Sequence, residues 1–111
     1  YQAAMRLLNR NTAITAIFAM SDLIALGTMR AIYDMEKRVP EDISIVGYDG
    51  IALSRYCVPR LTTVQQDTTQ LAKKGVDLML QRINYPYHAT HKTTPFHLIE
   101  GESVMELNGD K

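Results

Sequence analysis

Three side chains in this sequence are of kinds that hold a hydroxyl-rich small molecule: Ser21, Asp49 and Gln66. A hydroxyl both donates and accepts. A carboxylate accepts through two oxygens and can take two vicinal hydroxyls at once. A primary amide donates from nitrogen and accepts at oxygen. Each stands at the end of an apolar run. Ser21 follows Thr15-Ala16-Ile17-Phe18-Ala19-Met20, Asp49 follows Ile43-Ser44-Ile45-Val46-Gly47-Tyr48, and Gln66 follows Leu61-Thr62-Thr63-Val64-Gln65. Each also has a plainer reading. Serine ahead of a helix is a common N-cap, Asp49-Gly50 is a common turn dipeptide, and Gln66 can serve a hinge by satisfying backbone groups.

Other reactive residue types give weaker patterns. His88 and His91 have H-x-x-H spacing, but no cysteine or acidic residue lies close by, so a solvated loop is the better reading than a metal site. Cys57 is the single cysteine. It excludes an intrachain disulfide and reads as a packed small apolar residue. Ser54 sits in no nucleophile elbow, and no glycine-rich phosphate loop occurs. No cofactor, no metal and no enzyme activity are expected, since no nucleophile has a base beside it in any known pattern.

The elements that position Ser21, Asp49 and Gln66 follow from the hydrophobic spacing. Residues 1–9 read as a helix with Ala4, Leu7 and Leu8 on one side, then a polar turn through Thr12. A strand over 15–20, apolar on both faces, is expected to be buried in a parallel sheet. A helix runs from about Asp22 to Lys37 and is closed by Val39-Pro40. Strands follow over 43–48 and 61–66, with one helical turn from Ile51 to Tyr56 between them. Thr68 to Ile83 is the clearest helix, then a loop over 84–94, a short strand from Pro95 to Glu100, and a frayed tail after Met105. A strand–helix–strand unit calls for a right-handed crossover between parallel strands. In such sheets the ligand crevice lies beyond the carboxyl ends of the strands, where Ser21 and Asp49 stand. His97, in the last strand, is expected to point outward.

Two helices carry more apolar surface than one face needs. Residues 22–37 show one stripe of Ile24, Thr28, Ala31 and Met35 and a second of Leu23, Leu26, Met29 and Tyr33. Either the helix is deeply buried or the second stripe meets another subunit. In the later helix, Leu71, Ala72, Val76, Met79, Leu80 and Ile83 form a stripe that needs a floor.

Composition bounds the rest. With 111 residues, 46% of them hydrophobic and 22% charged, the chain suits one domain or part of a larger one. Its formal net charge is zero, so this segment is not expected to touch DNA itself. No run of 18 apolar residues occurs, and the first residues read as a helix already under way.

Three motifs in order carry a resemblance. They are Ala19-Met20-Ser21-Asp22-Leu23-Ile24-Ala25-Leu26-Gly27, then Arg38-Val39-Pro40-Glu41-Asp42-Ile43-Ser44-Ile45-Val46-Gly47-Tyr48-Asp49, then Pro59-Arg60-Leu61-Thr62-Thr63-Val64-Gln65-Gln66-Asp67. From about residue 12 to residue 105 the chain resembles the effector-binding domain of LacI/GalR-family bacterial transcription regulators. The resemblance implies an α/β fold: a parallel-sheet, three-layer, Rossmann-like subdomain of a type I periplasmic-binding-protein domain. Residues 12–66 would be the core of the second subdomain. Residues 67–94 would pack on a first subdomain that is not in this chain, and 95–105 would be a returning strand. It further implies a cytoplasmic sensor that binds a small carbohydrate effector through Asp49, Ser21 and Gln66. Closure of the cleft would alter operator DNA binding by a helix-turn-helix domain, also not in this chain. A homodimer would form through Leu26, Met29, Arg30 and Tyr56. Ser21 departs from the asparagine frequent at its position, and Gly50 from an acidic or polar residue, where it is expected to loosen the turn. A sugar-binding protein of a transport system shares the fold and is the alternative. The effector's identity is not legible.

Overall fold

The computed structural model describes residues 1–11, 13–87 and 89–107; Thr12, His88 and 108–111 lie outside the described residues, and with them half of the H-x-x-H pair. The elements are α1 (Gln2–Arg10), β1 (Ala16–Phe18), α2 (Asp22–Asp34), β2 (Ser44–Asp49), a 3-10 turn (Ala52–Arg55), β3 (Thr62–Gln66), α3 (Thr68–Asn84) and β4 (Phe96–Ile99). The four strands form one sheet in the order β1-β2-β3-β4. β1 pairs parallel with β2, Phe18 opposite Val46, and β2 pairs parallel with β3, Val46 opposite Thr62 and Asp49 opposite Gln65. The chain divides into two compact units, residues 1–65 with 98–111, and residues 66–97.

In the first unit the core is built by α1, α2 and the strands. Leu8, Ala25, Met29, Ile32, Ile43, Ile45 and Leu61 pack together, with Cys57 and Leu26 partly buried against them. The phase of α2 explains which residues enter. Ala25, Met29 and Ile32 recur at i, i+4 and i+7, so they share one face, and that face meets the sheet. This corrects the stripe assignment made from sequence. Ile24, placed on the buried stripe, is 52% exposed, whereas Met29, placed on the partner-facing stripe, is 8% exposed. The helix also stops earlier than expected. Glu36 takes φ 59°, Glu36 N donates to Tyr33 O and Lys37 N donates to Ile32 O. A left-handed residue with this pair of reversed bonds ends a helix, so Met35 to Lys37 fall outside it.

β1 corrects another expectation. It has three residues rather than six and its Phe18 is 63% exposed. Among the described residues it pairs on one side only, at one edge of the sheet, and its continuous apolarity did not signify burial on both faces.

Sequence periodicity missed the segment after β4. Ser103 is fully buried; its Oγ donates to Ile45 O at 2.6 Å and accepts from Thr62 N at 2.8 Å. Ile45 N in turn donates to Ser103 O at 2.7 Å. A single serine thus ties β2 to the start of β3. Next to it, the Glu102 carboxylate accepts from Arg60 N at 3.0 Å and from the Arg60 guanidinium at 3.0–3.1 Å.

Those contacts have a consequence with pH. The Arg60 amide and guanidinium hold the Glu102 carboxyl below its usual range, the Arg38 amide and guanidinium do so for Asp42, and the Tyr1 hydroxyl and Arg30 guanidinium for Asp34. A carboxyl with a lower pKa folded than unfolded contributes stability above its unfolded pKa, and that contribution is lost as pH falls through the folded value. The melting temperature of the full-length protein is therefore expected to fall as pH drops below about 4, the ordinary carboxylate range. Glu102→Gln should flatten that fall, and a slope identical to the wild type would remove Glu102 from the account.

In the second unit, Asp67 starts α3. Its Oδ1 accepts from Gln70 N and its Oδ2 from Gln70 Nε2, both at 2.9 Å. These bonds hold the Asp67 carboxyl below its usual range. Lys74 Nζ donates to Thr93 O at 2.7 Å. No described residue of α3 is buried; Leu71, Met79 and Ile83 are 47%, 67% and 70% exposed. His97 is exposed, as expected for an outward residue.

Candidate ligand site

The register fixes where the predicted site residues stand. Phe18 lies opposite Val46 and Ala19 N donates to Val46 O at 2.8 Å, so Ser21 and Asp49, each three residues beyond that pair, reach the same carboxyl edge of the sheet. Gln65 lies opposite Asp49, and Gln66 is the last residue of β3.

Asp49 has unusual backbone geometry, φ 114°, followed by Gly50 at φ 71°. A residue with a Cβ is rarely held there, and such strain, about 1–3 kcal/mol per residue, concentrates at functional positions. Gly50 does not loosen this reversal. A Cβ there would lie 2.5–2.7 Å from the Cβ, Cγ and Cα of Gln65, so glycine is what lets the turn lie against β3.

Ser21 is extended at φ −153°, and its Oγ accepts from Ile24 N at 3.3 Å. The plainer reading of Ser21 as an N-cap is therefore correct. The cap uses one lone pair of the hydroxyl, which still has its own proton to donate.

Asp22, the first residue of α2, is the buried hub of this edge. Its side chain is fully buried; Oδ1 accepts from Thr63 Oγ1 at 2.5 Å and Oδ2 accepts from Ile51 N at 2.8 Å. Gly47 makes room for it, because a Cβ there would collide with Asp22 Oδ1 and lie 2.8 Å from Leu61 Cδ2. The signal was in the sequence as a small residue and a hydroxyl, Gly47 and Thr63, but nothing local linked them to Asp22.

On α2, Leu26, Met29 and Arg30 line a shallow groove of about 330 Å³ together with Tyr33, Cys57 and Val58. Arg30 pairs with Asp34 at 2.8 Å and lies 5.6 Å from the centre of the Tyr33 ring. Met29 enters the groove with little exposed surface, since most of its side chain is spent in the core. Tyr56 is exposed just after the 3-10 turn and does not line the groove. Tyr33 belongs to the partner-facing stripe read from the sequence, whereas Cys57 and Val58 were not expected on this face. Cys57 Sγ donates to Ser54 O at 3.1 Å and packs against the core, in keeping with a packed thiol. Among the described residues no cluster of three or more His, Cys, Asp or Glu is placed to hold a metal ion, and no helix is long and apolar enough to cross a membrane.

Comparison with known proteins agrees with the fold. The profile of the periplasmic binding protein-like domain matches residues 1–104. The HTH-type transcriptional regulator MalR of Clostridium butyricum is 38% identical over 107 residues, which are 96% of this chain and 32% of MalR. The HTH-type transcriptional repressor PurR of Pasteurella multocida is 44% identical over 84 residues, 76% of this chain and 25% of PurR. The chain thus spans a quarter to a third of these relatives. Among solved structures, the lac repressor dimer bound to operator and the anti-inducer ONPF superposes with a TM-score of 0.84 at 35% identity, covering 96% of this chain and 37% of that one. A LacI family transcriptional regulator from Enterococcus faecium with bound ribose gives a TM-score of 0.79 at 35% identity, covering 97% and 40%. The chain belongs to the periplasmic binding protein-like domain family, in the form carried by LacI-family transcriptional regulators.

Proposed function

We propose that this chain is the effector-sensing segment of a cytoplasmic LacI-type transcriptional regulator, and that it binds a small sugar or sugar derivative. The observation that carries the reading is Asp49, a carboxylate held in strained backbone at the carboxyl edge of a parallel sheet, level with the Ser21 hydroxyl. Asp49 would accept from sugar hydroxyls, Ser21 would donate to one, and Gln66 would contribute its amide. Residues 12–66 would form the core of the second subdomain. Residues 67–94 would rest on a first subdomain encoded elsewhere in the polypeptide, which would give the exposed α3 stripe its floor, and 95–105 would return. Sugar binding would favour the closed cleft by its differential affinity for the two states, and that shift would reach operator DNA through a separate headpiece. The relatives named above are regulators, which weighs against the transport reading. The test is calorimetry of the full-length protein against a panel of sugars, beginning with ribose, the sugar bound in two neighbouring structures. Binding of no sugar in the panel would sink the reading.

The same reading puts Leu26, Met29, Arg30 and Tyr56 at a two-fold interface with a second copy, and the groove that Leu26, Met29 and Arg30 line with Tyr33 supports it. Leu26→Glu in the full-length protein should give a monomer by light scattering. A dimer that persists unaltered would point to another interface.

A further inference from the structure

We propose that Asp22 is the positioning residue of this site: its buried side chain pins the backbone just past Asp49 and keeps Asp49 at positive φ. The proposal rests on the ligand-site reading of Asp49 and adds what holds that residue in place. Burying a carboxylate is costly unless its oxygens are satisfied. Asp22 is fully buried, and both oxygens have donors on other elements, Thr63 on β3 and Ile51 at the start of the 3-10 turn. It also stands in the first turn of α2, where negative charge is favoured.

The strained stretch is short. Asp49 and Gly50 take φ 114° and 71° in succession. Strain of that kind persists only where surrounding contacts over-determine the backbone. On the near side, Asp49 is held by its pairing opposite Gln65. On the far side, the first backbone amide after the reversal is that of Ile51, and it donates to Asp22 Oδ2 at 2.8 Å. Without that bond, β2 can leave the sheet through an ordinary negative φ. Asp22 is also the neighbour of Ser21. One carboxylate therefore sets the spacing between the turn that carries the hydroxyl and the strand end that carries the ligand carboxylate. The room it occupies exists because position 47 is glycine.

The test uses the full-length protein, hydrogen exchange and crystal structures of variants. In Asp22→Ala, exchange at the Ile51 amide should rise on the order of tenfold or more, the loss of one bond to a charged group. The φ of Asp49 should return to negative values. The Ile45 amide, bonded to Ser103 O, is the internal reference and should not change. Asp22→Asn should restore the wild-type pattern, since its oxygen can accept from Ile51 while its nitrogen donates to the Thr63 hydroxyl. Should Asp22→Ala fail to fold, Thr63→Val removes one of the two ties and should raise Ile51 exchange less, with Thr63→Ser restoring it. Unchanged Ile51 exchange and an unchanged Asp49 φ in the folded disruptive variant overturn the proposal. Neither readout uses a sugar, so failure of the sugar reading would be seen separately, in calorimetry.

Discussion

Asp49→Asn in the full-length protein is expected to weaken sugar binding by about 2–3 kcal/mol, the upper part of the range for a hydrogen bond to a charged group. The substitution keeps the shape of the side chain. It removes the charge and replaces one of two acceptor oxygens with a donor, so a pair of vicinal hydroxyls loses its matched partner. Asparagine also tolerates positive φ better than most residues, so the backbone at 49 should hold. A second variant separates binding from folding. Asp49→Gly should abolish binding while the backbone at 49 keeps its course, because glycine takes φ 114° freely. Calorimetry gives the affinity and denaturant unfolding the stability. Wild-type affinity in Asp49→Asn would remove Asp49 from the site.

Gly47→Ala is expected to be strongly destabilising. The new Cβ collides with Asp22 Oδ1 and stands 2.8 Å from Leu61 Cδ2. Neither neighbour can yield cheaply: Leu61 is buried in the core, and moving Asp22 strips the Thr63 hydroxyl and the Ile51 amide of their acceptor. Overpacking of about 1–3 kcal/mol plus one unsatisfied buried donor at about 1–3 kcal/mol gives an expected loss of about 2–6 kcal/mol. That is a large part of a typical domain's 5–15 kcal/mol. Urea unfolding of the full-length protein measures it. A loss under about 1 kcal/mol would mean that Asp22 has another place to go.

The amino-acid sequence determined the alternation of elements and the ends of β2 and β3. Short apolar runs stopping at Ser21, Asp49 and Gln66 mark a parallel sheet because side-chain period and terminating residues are local properties. The candidate site was legible for the same reason, since a ligand crevice beyond strand ends needs only the order of the strands to be placed. The family likeness rested on three runs of residues in order, which is again one-dimensional information.

Tertiary structure decided what depends on the other side of a contact. Periodicity gave α2 two apolar stripes but not its rotation against the sheet, so Met29 and Ile24 exchanged roles once β2 supplied a surface to pack on. Burial of β1 on both faces could not be judged from its composition, because being an edge strand is a property of the sheet. Gly50 looked like slack and is a close approach to Gln65; Ser103 stood out in no local pattern and bridges Ile45 to Thr62. Asp22, Gly47 and Thr63 lie 16 or more residues from one another in sequence, and only the packed sheet joins them. A buried polar hub has no sequence period of its own: its members are chosen by complementarity across strands, a small residue where an oxygen must fit and a hydroxyl where an acceptor must be satisfied.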